Sequence, residues 1–213
     1  MNQAIFYEER NVTAKGLDPN NKINEDKLKS YIFKEDYNNL NLLNNIKIPL
    51  GKEEISLLYP GCGVDVLFPL IYLEKLFPQI KTANLTFVDS ENVFGLIKTV
   101  LDDIGISFAE NKSNNIVSFH WKNTLINLNF VLNKIESHLP NQEPIDIYFE
   151  KAFRIMRDNI PNYENNILNK IKPNGILISD SGFTEQNLKT IEVPKILSSY
   201  QEMIIGIKEE IKE

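Results

Sequence analysis

Two glycines one residue apart, Gly61 and Gly63, stand directly after the apolar run Ile55 to Tyr59 and just ahead of a second apolar stretch, in ISLLYPGCGVDVLFPL. Without a Cβ the backbone there can turn tightly, and a nucleoside can approach the main chain to contact distance. The next apolar run, LTFVDS, ends on Asp89 and Ser90. An acid at that place, roughly 20 or more residues beyond the glycines, is positioned to accept hydrogen bonds from both hydroxyls of a ribose. Glu150 closes IDIYFE and Asp180 closes ILISD, so each of these acids stands at the end of an apolar run. Cys62 lies between the glycines, where small residues pack; with no histidine in a recognisable pairing, its role reads as steric and not nucleophilic.

These residues need a scaffold that brings the ends of apolar runs together, and the pattern supplies one. From Ile55 onward short apolar strands alternate with helical stretches, which predicts a doubly wound, mostly parallel sheet with helices on both faces, an α/β fold. The strands expected are Ile55 to Tyr59, Leu85 to Val88, a pair at Ile116 to Trp121 and Thr124 to Val131 around Lys122-Asn123, Ile145 to Phe149, and Ile176 to Ser179. Pro69 delays the first helix, because its fixed φ suits a first helical turn and it pushes Phe68 toward extended geometry, so the loop spans Pro60 to Phe68. A helix carrying Val93, Leu96, Ile97, Val100, Leu101 and Ile104 follows the second strand, and one carrying Tyr163, Ile167, Leu168 and Ile171 ends before the turn Lys172-Pro173-Asn174-Gly175. The run Met203 to Ile207 closes the sheet as an antiparallel hairpin with the region around Val193 to Ile196. Ahead of the first strand, residues 1–54 form a helical preface, with Asn24 capping a helix that carries Leu28, Tyr31 and Ile32 and a second helix presenting Tyr37, Leu40 and Leu43. Residues 55–213 form the main domain. In such sheets ligands bind outside the carboxyl ends of the strands where strand order reverses, so the loop from Pro60 to Asp65, Asp89, Glu150 and Asp180 are expected to converge.

Bulk properties narrow the partners. The chain has 213 residues, 42% of them hydrophobic, and a formal charge of −6. That acidity argues against binding the phosphate backbone of nucleic acid, which takes clustered Lys and Arg. One cysteine and two histidines exclude an internal disulfide and make a metal centre hard to build. No apolar run reaches the length of a membrane span and the N-terminus lacks the basic-then-apolar order of a signal, so the expectation is a cytoplasmic protein with no membrane partner.

The ordered set ISLLYPGCG, LTFVDS, IDIYFEKAF and NILNKIKPNGILISDSG, with MIIGIK as a last strand, resembles the class I S-adenosylmethionine-dependent methyltransferases. The resemblance implies a Rossmann-like domain, S-adenosyl-L-methionine as cofactor, and methyl transfer to an acceptor that reads as a small molecule. It places Tyr59, Pro60, Gly61, Cys62, Gly63, Asp65, Asp89 and Ser90 against the cofactor and Glu150, with Lys151 beside it, against the acceptor as a general base. It also implies that the preface serves as a lid that excludes water. The chain departs from the family in two places: Tyr59 stands where an acid is usual, and Asp65 where a third glycine is usual. Asp65 then either binds the positively charged end of the cofactor or caps the following helix. A catalytically inactive relative that binds another ligand is the alternative, and it gains if side chains of the Pro60 to Phe68 loop fill the cleft. A nicotinamide-dependent oxidoreductase is disfavoured by Val66 at the third glycine of the dinucleotide fingerprint. The assembly is expected to be a monomer or a homodimer.

Overall fold

The computed structural model describes residues 4–184, 188–198 and 201–209. After α1 (Glu25–Ser30), α2 (Lys34–Asn39) and a 3-10 turn over Leu40–Asn45, the chain alternates strand and helix. Its elements are β1 (Glu54–Pro60), α3 (Leu67–Leu76), β2 (Thr82–Asp89), α4 (Phe94–Asp103), β3 (Phe108–Asn111), β4 (Ile116–Trp121), β5 (Thr124–Leu132), α5 (Ile135–His138) and β6 (Ile145–Glu150). They continue with α6 (Arg154–Arg157), α7 (Tyr163–Lys170), β7 (Ile171–Ser179), β8 (Leu188–Ile191) and β9 (Ile204–Lys208). Among the described residues the strands form one sheet in the order β3-β4-β5-β2-β1-β6-β7-β9-β8. The stretch from β5 to β7 is parallel throughout, β9 runs antiparallel between β7 and β8, and β3 and β4 extend the other edge as antiparallel strands. This is a doubly wound, Rossmann-like α/β fold with an antiparallel C-terminal strand.

The alternation of side chains along β1 explains the two layers of helix. Ile55, Leu57 and Tyr59 enter one core with α3 and α4, whereas Leu58 enters the opposite core with Tyr148, Ile167 and Leu177. A strand with apolar groups on both faces is stable only with helices on both, which is what the nearly continuous apolar runs dictate. The preface joins the first of these cores. Asn24 caps α1 by accepting from the Lys27 N–H at 3.1 Å, and Leu28, Ile32, Leu40 and Leu43 are buried with α3 and α4. No helix among the described residues is long and apolar enough to cross a membrane.

Several boundaries differ from the expectation. α3 begins at Leu67, ahead of Pro69, because the Asp65 carboxylate accepts the Phe68 N–H at 3.0 Å and so supplies the cap. Pro69 sits in the first turn, where a missing N–H costs nothing. Ile171 opens β7 instead of ending a helix, and Asn174 adopts φ 60° inside that strand, at the irregular stretch where its register against β6 shifts. The partner of β9 is Leu188–Ile191, not the region around Val193, and Lys195–Leu197 forms a 3-10 turn.

At the amino ends of the strands Asp146 ties β6 to its surroundings. It accepts from Ser56 N–H at 2.9 Å and from the Lys172 ammonium at 3.0 Å, and it pairs with Lys52. Burial works against its charge, but these hydrogen bonds outweigh burial and hold the carboxyl down at about 2. A carboxyl depressed by folding adds stability above its unfolded value, about 4, and loses it as pH falls from there toward 2. Asp146→Asn is therefore expected to lower stability at pH 7 by on the order of 1–2 kcal/mol, discounted for half-exposed lysines. The gap between the two urea midpoints should close at the acid end of that range.

Candidate functional site

β1 is the point where strand order reverses, with β2 on one side and β6 on the other. At the carboxyl ends of these strands lies an open cleft of about 580 Å³. One side of its lining is Gly61, Gly63, Asp89 and Ser90, continued by Asn133, Lys134 and Ile135 after β5; the other is Phe153, Met156, Asn159 and Ile160 after β6.

The glycine loop is held by its neighbours. Gly61 donates its N–H to the Val88 carbonyl at 2.8 Å, and Gly63 donates to Asp89 Oδ2 at 2.8 Å. Asp89 Oδ1 accepts from the Glu91 N–H at 2.9 Å. A carboxylate offers about four lone-pair sites, so Asp89 retains acceptor capacity on both oxygens. The two glycines are required for different reasons. Both have left-handed φ, 56° at Gly61 and 51° at Gly63. A Cβ at Gly61 would stand 2.4 Å from Phe153 Cδ2, whereas one at Gly63 would meet nothing within 4 Å. Gly61 makes room for a neighbouring ring, and Gly63 leaves space beside the cleft.

Of the residues that sequence reasoning placed against a cofactor, the structure brings Gly61, Gly63, Asp89 and Ser90 to the cleft and leaves Tyr59, Pro60, Cys62 and Asp65 behind it. The Tyr59 ring packs edge-on against Phe87 and Phe149 in the core, and its hydroxyl donates to Asp65 Oδ2 at 2.9 Å. Asp65 is the helix cap described above; burial raises its carboxyl above the ordinary range despite the N–H and hydroxyl that bond it. Cys62 is buried, and burial, reinforced by Asp89 and Asp65, pushes its thiol far up, so it is held protonated. The loop thus turns its larger side chains inward and does not fill the cleft.

Glu150 departs furthest from expectation. It is buried, accepts from Tyr148 Oη and Ser179 Oγ at 2.6 Å each, and pairs with Arg157 at 2.6 Å. Burial raises its carboxyl while Arg157 opposes the shift. A group so engaged does not reach the cleft, and a base must lie within hydrogen-bond reach of the proton it takes. Asp180 is also inside, accepting the Ala152 N–H at 3.0 Å with Lys151 at 3.9 Å. None of residues 4–54 is among the residues that line the cleft, and the preface helices pack on α3 and α4. Sequence reasoning missed Phe153 and Arg157. Nothing local marks Arg157 above Arg154, three positions nearer β6, since only the tertiary contact with Glu150 separates them. Among the described residues no group of His, Cys, Asp and Glu is arranged to hold a metal ion.

No family model matches the chain, and no curated protein does. Solved structures similar to it include a protein from Listeria monocytogenes described as a class I S-adenosylmethionine-dependent methyltransferase, at 14% identity and TM-score 0.47 over 93% of this chain and 64% of that one. A second is a SAM-dependent methyltransferase from Thiobacillus denitrificans in complex with S-adenosyl-L-homocysteine, at 11% identity and TM-score 0.41 over 70% of this chain and 48% of that one. A third is precorrin-6y C5,15-methyltransferase from Geobacter metallireducens, at 11% identity and TM-score 0.43, covering 82% and 87% of the two chains. The chain therefore spans between about half and two thirds of the length of the first two. By its own strand order and the placement of its glycine loop, this is a Rossmann-like α/β protein with an open cleft at the carboxyl edge of its sheet.

Proposed function

We propose that the cleft binds S-adenosyl-L-methionine and that the chain transfers its methyl group to a small-molecule acceptor. The observation that carries the reading is the meeting of Gly63, open on the cleft side, with Asp89, which keeps lone pairs free after fixing the glycine loop. Those lone pairs suit the two hydroxyls of a ribose, and the apolar side chains of Val88, Val93 and Ile135 suit the faces of an adenine. The bound cofactor supplies an electrophilic methyl on a sulfonium. The chain's own contribution is to hold the nucleoside, exclude water along the Phe153 to Ile160 wall, and orient the two reactants, which by itself provides much of the acceleration of a displacement.

The engagement of Glu150 shapes the acceptor. With that carboxylate paired to Arg157, the reading favours an acceptor atom that is already nucleophilic, such as an amine or a thiolate, over a hydroxyl that must lose its proton to the enzyme. The same observation favours, as a second reading, a binding module without turnover. Calorimetric titration with S-adenosylmethionine and S-adenosylhomocysteine tests the shared premise. Saturable binding of both is expected; no heat together with no thermal shift would overturn it.

A further inference from the structure

We propose that Arg157 is a positioning residue: seated on Glu150, it pins residues 151–162 as a movable wall of the cleft, so that ligand affinity follows how firmly that wall is held. The inference rests on the reading of the cleft as a nucleoside site. The segment carries Phe153, Met156, Asn159 and Ile160 to the cleft, yet it is a poor structure by itself, with a single four-residue helix and Ile155 and Met156 exposed. Both of its ends have left-handed backbone, which an alanine resists and an asparagine tolerates. Ala152 and Asn162 both sit at φ 55°, a region that non-glycine residues rarely adopt.

Two buried side chains hold the segment, Phe153 in the core beside Tyr163 and Arg157, which makes its buried ion pair. Arg157 is 5% exposed and Glu150 0%, their closest atoms 2.6 Å apart. Arg157 also donates to the Gly182 carbonyl at 2.5 Å and stacks over the Phe183 ring at 5.3 Å, so it fastens the segment after β6 to the loop after β7. Glu150 is in turn set by Tyr148 and Ser179, and the Tyr148 and Tyr163 hydroxyls meet at 3.1 Å. Further polar holds include the Ala152 N–H and the Lys151 ammonium on Asp180, Arg157 with Glu164, and the surface pairs of Arg154 with Glu202 and Asp158. Burying two charges returns little net stability, because desolvation consumes most of the attraction. The pair's larger effect is to select one place for the segment, and that place seats Phe153 on Gly61. If loosening leaves the wall correctly placed about a tenth of the time, apparent affinity falls by the same factor.

Two variants and one measurement on the unmodified chain test this. In the double variant Glu150→Leu with Arg157→Leu, which leaves no lone buried charge, S-adenosylhomocysteine should bind about ten-fold more weakly, chiefly through faster dissociation. Amide exchange should quicken over 152–162 while β1 and β6 stay protected. Arg157→Lys, which keeps the charge, should recover most of the affinity. On the unmodified chain the ligand should slow exchange over 152–162 more than over α7, a comparison that stands even if the double variant does not fold. Parent-like affinity and exchange in the double variant, exchange that quickens uniformly across the sheet, or ligand protection no greater over 152–162 than over α7, would overturn the proposal. If the unmodified chain binds no S-adenosylhomocysteine, the cofactor reading fails instead, and the exchange contrast between parent and variants still decides whether Arg157 pins the segment.

Discussion

Asp89→Ala is expected to weaken S-adenosylhomocysteine binding by about 100-fold or more, with a far smaller effect on thermal stability. Hydrogen bonds to a charged acceptor contribute about 1.5–3 kcal/mol each, and 1.4 kcal/mol is a factor of ten, so two ribose hydroxyls on one carboxylate account for at least that loss. The variant also releases the Gly63 N–H, which Asp89 now accepts at 2.8 Å. Asp89→Asn separates the two contributions. Its amide oxygen can still take the Gly63 N–H while the amide nitrogen accepts nothing, so affinity should fall between parent and alanine. Calorimetry reads all three, and a melting curve of each guards against an unfolded sample.

The second large effect contrasts the two glycines. Gly61→Val is expected to destabilise the fold by roughly 3 kcal/mol or more, through a left-handed backbone that a β-branched residue resists and a clash with a buried ring. A Cβ there would lie 2.4 Å from Phe153 Cδ2, which leaves no room, and Phe153 is itself enclosed by Tyr163 and its neighbours. Gly63→Ala has a similar φ but open space, so its cost should be about 1 kcal/mol, from backbone strain alone. Its larger effect should be on binding, because the added methyl stands beside the cleft. Urea unfolding and ligand titration on the same two proteins read the contrast: a stability-dominated loss at Gly61, an affinity-dominated loss at Gly63. Equal behaviour at both would mean that the loop is merely a turn.

Much of the fold was legible because its signals are local. The run Ile55 to Tyr59 is apolar on both faces, and only a strand between two helical layers can bury both; β1 does so. The hairpin around Lys122-Asn123 and the helix behind Asn24 could be read from alternation and capping for the same reason. The edges were harder. β8 reads Leu-Lys-Thr-Ile, with apolar residues only at its ends and neither face buried, so no alternation marks it. β3, four residues long, is defined by its pairing with β4 and not by its own composition.

The site was legible where the backbone makes it and illegible where side chains choose partners. Gly61, Gly63 and Asp89 follow from the position of strand ends, and the structure sets them in one cleft. Tyr59, Asp65 and Glu150 have types that suit a cofactor or an acceptor, but each is claimed by a closer partner: Tyr59 by Asp65, Asp65 also by the first turn of α3, and Glu150 by Arg157. Those contacts join residues whose proximity only the folded chain creates. Phe153 shows the converse, because an aromatic after the fourth parallel strand gains its meaning solely from the glycine it covers.

The central claim is that the glycine loop and Asp89 grip the sugar of an adenosine, and the titration of S-adenosylhomocysteine into the unmodified chain and into Asp89→Ala, side by side, tests it most directly. The account predicts saturable binding by the first and a loss of about two orders of magnitude in the second. Equal affinity of the two proteins, or no binding by the unmodified chain, would contradict it.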